Sequence, residues 1–159
     1  EYEIGVLRLN LHRSKDSTDS LGDPEAHRFR YAIYPHAGDW LAAGTHRLAA
    51  EYNVPLIARI EPSHRGRLGR TFSLLSTTHP TVGVEWIKRA EDSEALVLRL
   101  VEWGGENVEA EVVTACPSIS ARRANHLEDP GDPLPSTRGD FRIRLRAHEI
   151  ATVLVECRG

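Results

Sequence analysis

The sequence contains no methionine, and only two of its 159 residues are cysteine. Without an initiator, and with Glu1-Tyr2-Glu3-Ile4 reading as the middle of a strand, we expect a piece of a longer polypeptide. Cys116 and Cys157 lie far apart with no Cys-x-x-Cys spacing, which argues against a zinc ribbon or a dithiol redox motif. Each falls in or beside a predicted strand, where a single cysteine behaves as a small buried hydrophobe, so two free thiols are expected rather than a disulfide. No apolar run approaches the roughly 20 residues needed to span a bilayer as a helix. The start has no signal-peptide features and no Asn-x-Ser/Thr occurs, so a cytoplasmic location is expected. An excess of one charge is also missing. Lys and Arg number 20 against 23 Asp and Glu, interspersed, for a net charge of −3, so neither nucleic acid nor a membrane surface is expected as partner.

What is present is strand patterning. Leu7, Leu9 and Leu11 alternate after Ile4 and Val6, with a phase slip that suggests a bulge. Phe29, Tyr31 and Ile33 alternate with Arg28 and Arg30. Leu96, Leu98 and Leu100 form one face, Val108, Ala110 and Val112 another, and Phe141, Ile143 and Leu145 alternate with Arg142, Arg144 and Arg146. The run from Ile150 to Val155 is nearly continuously apolar and predicts a strand buried on both faces. One segment departs from the two-residue period: Leu41, Thr45, Leu48, Ala49 and Tyr52 share a helical face, with Asp39 placed to cap it and Pro55 to stop it. Prolines 130, 133 and 135 with Gly131 and Gly139 predict a loop between Glu128 and Asp140. The fold class is therefore all-β with one short helix near 40–52, and a seam falls near His79-Pro80.

Catalytic motifs are absent. The eight histidines show no His-x-His, His-x-x-x-His or His-Glu-x-x-His spacing, so no metal site is predicted in this chain. Gly-x-Ser-x-Gly is missing, and the carboxylate pairs Glu91-Asp92 and Glu128-Asp129 read as turn residues rather than as an acid/base pair. Arg65-Gly66-Arg67-Leu68-Gly69-Arg70 lacks the Gly-Lys-Ser/Thr end of a phosphate loop and reads as a flexible basic loop.

Ordered blocks carry a family resemblance. They are Leu11-His12-Arg13-Ser14, Asp23-Pro24-Glu25-Ala26-His27, Phe29-Arg30-Tyr31-Ala32-Ile33-Tyr34-Pro35-His36-Ala37-Gly38, Lys88-Arg89-Ala90-Glu91-Asp92, and Leu98-Arg99-Leu100-Val101-Glu102. Asn125-His126-Leu127-Glu128-Asp129-Pro130 and His148-Glu149-Ile150-Ala151-Thr152-Val153 follow. In this order the set resembles the C-terminal β-sandwich region of family 38 α-mannosidases. Glu25 stands where that family has glycine, His12 where it has leucine, Val101 where it has an aromatic and Ala147 where it has proline.

The resemblance implies that residues 1–79 are the C-terminal part of a large mutarotase-like β-sandwich and 80–159 a small terminal β-sandwich domain. It implies a retaining exo-mannosidase whose N-terminal barrel, outside this chain, carries the aspartate nucleophile and a divalent metal, zinc in most members. No catalytic residue and no cofactor is expected in this chain. Its partners would be that barrel and mannose-containing glycans, with association into a homo-oligomer where the end of the larger sandwich is left unpaired. From the residues alone, Arg13 ends a strand and pairs with a loop acid. The resemblance implies a substrate-binding role instead, with Arg13 reaching the sugar cleft and Asp23 orienting it. Two other readings stand beside this one. One is a self-standing carbohydrate-binding module that stacks sugars on Trp40, Trp86 or Trp103, although core packing is expected of Trp86 and Trp103. The other is a purely structural sandwich.

Overall fold

The structure is a computed structural model that describes residues 8–12, 25–117 and 119–157. It divides into two compact units, residues 1–37 and 38–159. In the first unit the described residues form no helix or strand. His12 and His27 stack with ring centroids 4.4 Å apart, and Phe29 lies 6.1 Å from His27. The alternation at Phe29, Tyr31 and Ile33 therefore produces no paired strand here, and all three side chains are exposed. An alternating segment becomes a strand only when another strand satisfies its backbone groups.

The described residues of the second unit form one helix and eight strands. Asp39 Oδ1 accepts from the backbone N–H groups of Leu41 and Ala42, capping a turn that leads into α1, Thr45–Asn53. The predicted helix is thus real but starts later, because Gly44 takes a left-handed conformation at φ 67° and separates the capped turn from the helix. The strands are β1 (Leu75–Thr77), β2 (Val82–Arg89), β3 (Leu96–Glu102), β4 (Val108–Thr114), β5 (Ile119–Ala124), β6 (Pro130–Leu134), β7 (Asp140–Leu145) and β8 (Ile150–Cys157). They form a three-stranded sheet in the order β1-β4-β7 and a five-stranded sheet in the order β2-β3-β8-β5-β6, every pairing antiparallel.

The period-two pattern decides which face each sheet buries. Ala110, Val112, Phe141, Ile143 and Leu145 of the smaller sheet pack with Leu98, Leu100, Ile119, Ala121, Val153 and Val155 of the larger. The cost of truncating a ring such as Phe141 to alanine in such a core is roughly 3–5 kcal/mol. On the outer face of the smaller sheet Glu109 lies opposite Arg144 and Glu111 opposite Arg142, with N···O distances of 2.8 and 3.6 Å. These exposed pairs fix register more than they add stability. β8 runs between β3 and β5; Ala151, Val153 and Val155 are buried on its inward face and Thr152 on its outer face, where Ile150 is 56% exposed. Arg123 occupies an inward position opposite Val153, and its guanidinium reaches the Arg144 carbonyl of β7, linking the two sheets.

Three expectations are corrected. The proline-rich segment is not all loop, since Pro130–Leu134 forms β6. Proline is tolerated there because β6 is an edge strand, so a missing N–H can face away from its single neighbour β5. Trp86 is not in the core. A register shift between Val84 and Trp86 in edge strand β2 sets the indole opposite Arg99, 66% exposed. The cysteines are not free: Cys116 and Cys157 form a disulfide with Cα atoms 5.7 Å apart. Each sits at the end of its sheet, Cys116 just past β4 and Cys157 at the end of β8, where the two layers converge.

The bridge closes a loop across a sequence separation of 41 residues. Loop-closure entropy for that length corresponds to a stabilisation of about 4 kcal/mol, and native disulfides commonly contribute roughly 2–5 kcal/mol. Cys157→Ser, or reduction of the wild-type chain, should therefore lower the urea midpoint clearly. Equal midpoints with and without reductant would mean that the two sulfurs are not joined in solution.

Candidate functional site

Arg13 and Asp23, the substrate-binding residues expected from the sequence, lie outside the described residues. Among the described residues, His12, next to Arg13, and His27, four positions after Asp23, stack their rings.

Within the second unit, the most constrained polar group is Glu102. It ends β3 on the inward side and is 1% exposed, at the corner where three turns meet. Its carboxylate accepts from Thr81 Oγ1 at 2.7 Å and from the backbone N–H groups of Gly104 (2.7 Å), Gly105 (2.7 Å), Glu106 (3.2 Å) and His148 (3.1 Å). The turn that supplies these donors needs glycine. Gly105 has φ 78°, and a Cβ there would stand 2.8 Å from His148 Nε2. Burial alone would raise the Glu102 pKa, but the hydrogen bonds from Thr81, His148, Gly104 and Gly105 outweigh it and bring the pKa down to about 2. The sequence marks this residue only faintly, as a charge at the end of an apolar alternation just before Trp103-Gly104-Gly105. Glu102 is a structural tie, with its lone pairs committed and no open side for a ligand.

The outer face of the larger sheet carries a groove of about 290 Å³. The loop that forms one of its walls is built by Asn125, whose Oδ1 accepts from Leu127 N (2.9 Å) and Asp129 N (3.0 Å) while its Nδ2 donates to Asp129 Oδ2 (2.7 Å). Arg99 fastens the loop to the sheet, donating from Nη2 to the His126 carbonyl at 3.0 Å and from Nη1 to Thr152 Oγ1 at 2.8 Å. Lys88 Nζ lies 2.8 Å from Glu128 and 3.1 Å from Glu91. Asp92, Glu128, Asp129, Glu156 and Arg122 line the groove.

This arrangement accepts and donates hydrogen bonds, and Glu128 is not set up as a general acid. A general acid needs a raised carboxyl pKa. Glu128 has the reverse, held below the usual carboxylate range chiefly by its hydrogen bond from Lys88, and Glu91 shares the same ammonium. Among the described residues no group of three or more His, Cys, Asp or Glu side chains is placed to hold a metal ion. Trp40 and Trp103 both contact the His46 ring, at 6.0 and 5.9 Å, while Trp86 makes no ring contact among the described residues.

Two antiparallel sheets closed over one apolar core define a β-sandwich domain. Residues 81–153 match the model of the glycosyl hydrolases family 38 C-terminal beta sandwich domain, and over that span the chain belongs to this family. The chain is 34% identical to human alpha-mannosidase 2C1 over 143 residues, covering 88% of this chain and 14% of that protein. It is 32% identical to mouse alpha-mannosidase 2C1 over 155 residues (94% and 15%), and 29% identical to alpha-mannosidase G of Dictyostelium discoideum over 161 (93% and 14%). The chain thus spans about one-seventh of the length of these relatives.

Glu102→Gln should separate charge from shape. An amide presents N–H groups to a cradle made mostly of N–H donors, so a loss of roughly 1–3 kcal/mol is expected near neutral pH. A depressed folded pKa stabilises above the unfolded value near 4.5 and loses that contribution as pH falls toward about 2. The stability gap between wild type and variant should accordingly be full at pH 7 and narrow steadily below about 4.5. A gap that does not change with pH would assign the effect to shape alone.

Proposed function

We propose that this chain is the non-catalytic C-terminal β portion of an α-mannosidase, supporting and partly lining the sugar cleft of a catalytic barrel outside the chain. The observation that carries the reading is the family match over 81–153, together with alignment of 88–94% of the chain to α-mannosidases. On this reading the whole enzyme hydrolyses terminal α-mannosides with retention, and the divalent metal and the aspartate nucleophile belong to the barrel. The division is residues 1–79 to the end of the larger sandwich and 80–159 to the terminal domain, with β1, just before the seam, already paired to β4 of the smaller sheet.

Exposed apolar sequence supports the same reading. Leu56, Ile57 and Ile60 are 95% exposed or more, and Tyr31 and Ile33 are also open to solvent. A soluble domain leaves such a run uncovered only where another surface completes it. The first partner on this reading is the rest of the same enzyme; a chain deprived of it should pair with a second copy of itself, as a homo-oligomer.

The isolated chain is expected to show no turnover of an aryl α-mannoside and no stoichiometric zinc binding, by absorbance assay and metal analysis. Metal-dependent hydrolysis by the pure chain would overturn the assignment. In the full enzyme, Arg13→Lys keeps the charge but loses the planar fork that can hydrogen-bond two sugar hydroxyls. Losing one charge-assisted hydrogen bond, about 1.5–3 kcal/mol, gives a fall in kcat/KM of roughly ten- to a hundredfold, with Tm little changed. Normal turnover with a lowered Tm would instead make Arg13 structural.

A further inference from the structure

The basic loop before the sandwich is not used by any role described so far. Residues 61–73 are exposed throughout and contain no helix or strand. Among the described residues, no backbone N–H or C=O from residue 55 to residue 73 pairs with another backbone group. The loop has room around it: a Cβ at Gly66 would meet nothing within 4 Å, and one at Gly69 only the Thr71 carbonyl at 3.7 Å. Among the described residues, Arg65, Arg67 and Arg70 pair with no carboxylate, whereas Arg59, on the same stretch, is held by Glu61 at 2.6 Å.

An endoprotease binds its substrate as an extended strand, so a loop whose backbone pairs with no other backbone group can be drawn into a cleft at the cost of only the local contact between His64 Nδ1 and the Arg65 carbonyl, 3.2 Å apart. Drawn out, Arg67 and Arg70 would lie roughly 10 Å apart, at about 3.3 Å per residue. Arg65 would follow two positions further back. Arg67-Leu68-Gly69-Arg70 is the only place in the sequence where two arginines stand three residues apart in this way. Of the two residues between them, Gly69 adds no side chain that a narrow cleft would have to accommodate, and Leu68 adds an uncharged one.

We propose that the Arg70–Thr71 peptide bond is a processing site for a serine endoprotease with acidic pockets for arginine at the first and the fourth residue before the bond. Water adds across the bond, leaving a carboxylate on Arg70 and an amine on Thr71, with no other co-reactant. The cut falls four residues before β1, so both sheets, the core and the Cys116–Cys157 bridge stay on one fragment. That bridge does not tether the two products.

The test uses the full 159-residue chain and a subtilisin-like endoprotease that requires arginine at both positions, beside a control peptide with the same requirement. Mass spectrometry should find one early cut, giving residues 1–70 and 71–159, with the β-sheet circular dichroism of the larger product retained. Arg67→Gln should slow this cut by roughly ten- to a hundredfold, the scale of losing one charge-assisted pair. Trypsin, which needs only the arginine beside the bond, should cut the variant after Arg70 at the wild-type rate. The proposal is overturned if the chain stays intact while the control peptide is cut. It is equally overturned if the first cut falls elsewhere, or if Arg67→Gln is cut as fast as wild type.

Discussion

A carboxylate sealed inside a sandwich is tolerable only if its oxygens are fully occupied, and Glu102 meets that demand by recruiting donors from three separate places in the chain. Thr81 comes from the turn before β2, Gly104 to Glu106 from the turn after β3, and His148 from the turn before β8. One side chain thereby sets how the ends of adjacent strands in the larger sheet are joined. The corner also draws in the backbone: the Glu102 N–H donates to the Glu149 carbonyl, and Trp103 N–H to the Thr81 carbonyl. The left-handed turns at Gly105 and His148 exist to aim N–H groups at this charge. Apolar burial supplies most of the driving force of the fold, but this corner fixes which arrangement of the strands is reached.

A second charged tie, on the other side of β8 at the same end of the sheet, is arranged on a different principle. There Arg123 sits where the pattern of β5 would place an apolar residue, and it snorkels across the layer to the Arg144 carbonyl and to Glu149, 2.8 Å away. Glu149 also accepts from the Arg146 N–H at 2.7 Å. The two charged ties share the β7–β8 turn, so Glu102 and Arg123 are coupled through residues 146–149.

Much of this architecture was legible in the residues. The alternations at 96–100, 108–112 and 141–145 each became a strand with the anticipated face inward, and the apolar run at 150–155 became β8, buried at 151–153 and 155 though exposed at Ile150. The ordered blocks of the resemblance pointed to the family that the 81–153 match shows. What was not legible is physical in origin. β6 was hidden because proline signals a break unless the strand is known to lie at an edge, which is a property of the sheet and not of the segment. β5 was hidden because Arg122 and Arg123 interrupt its apolar pattern, one bonded to the Gly131 carbonyl and the other crossing the core edge. The disulfide was missed because a separation of 41 residues says nothing about distance until the sheets are stacked. Trp86 was misjudged since a bulge reverses the face on which the following residue appears. Of the expected site, Arg13 and Asp23 fall outside the described residues, and the Glu102 cradle gave no motif because backbone amides supply most of its donors.

The Cys116–Cys157 bridge bears on how the sandwich would respond to tension. β8 is the central strand of the larger sheet, and in an unbridged sandwich a pull on the polypeptide beyond Cys157 would peel it from β3 and β5 one ladder pair at a time. With the bridge closed, the load leaves β8 at its last residue and passes through sulfur into Cys116, at the end of β4. Everything from residue 117 to residue 156 is then outside the force path. The strand on which the larger sheet depends is mechanically shielded, and the pull is borne instead by β4 in shear against β1 and β7.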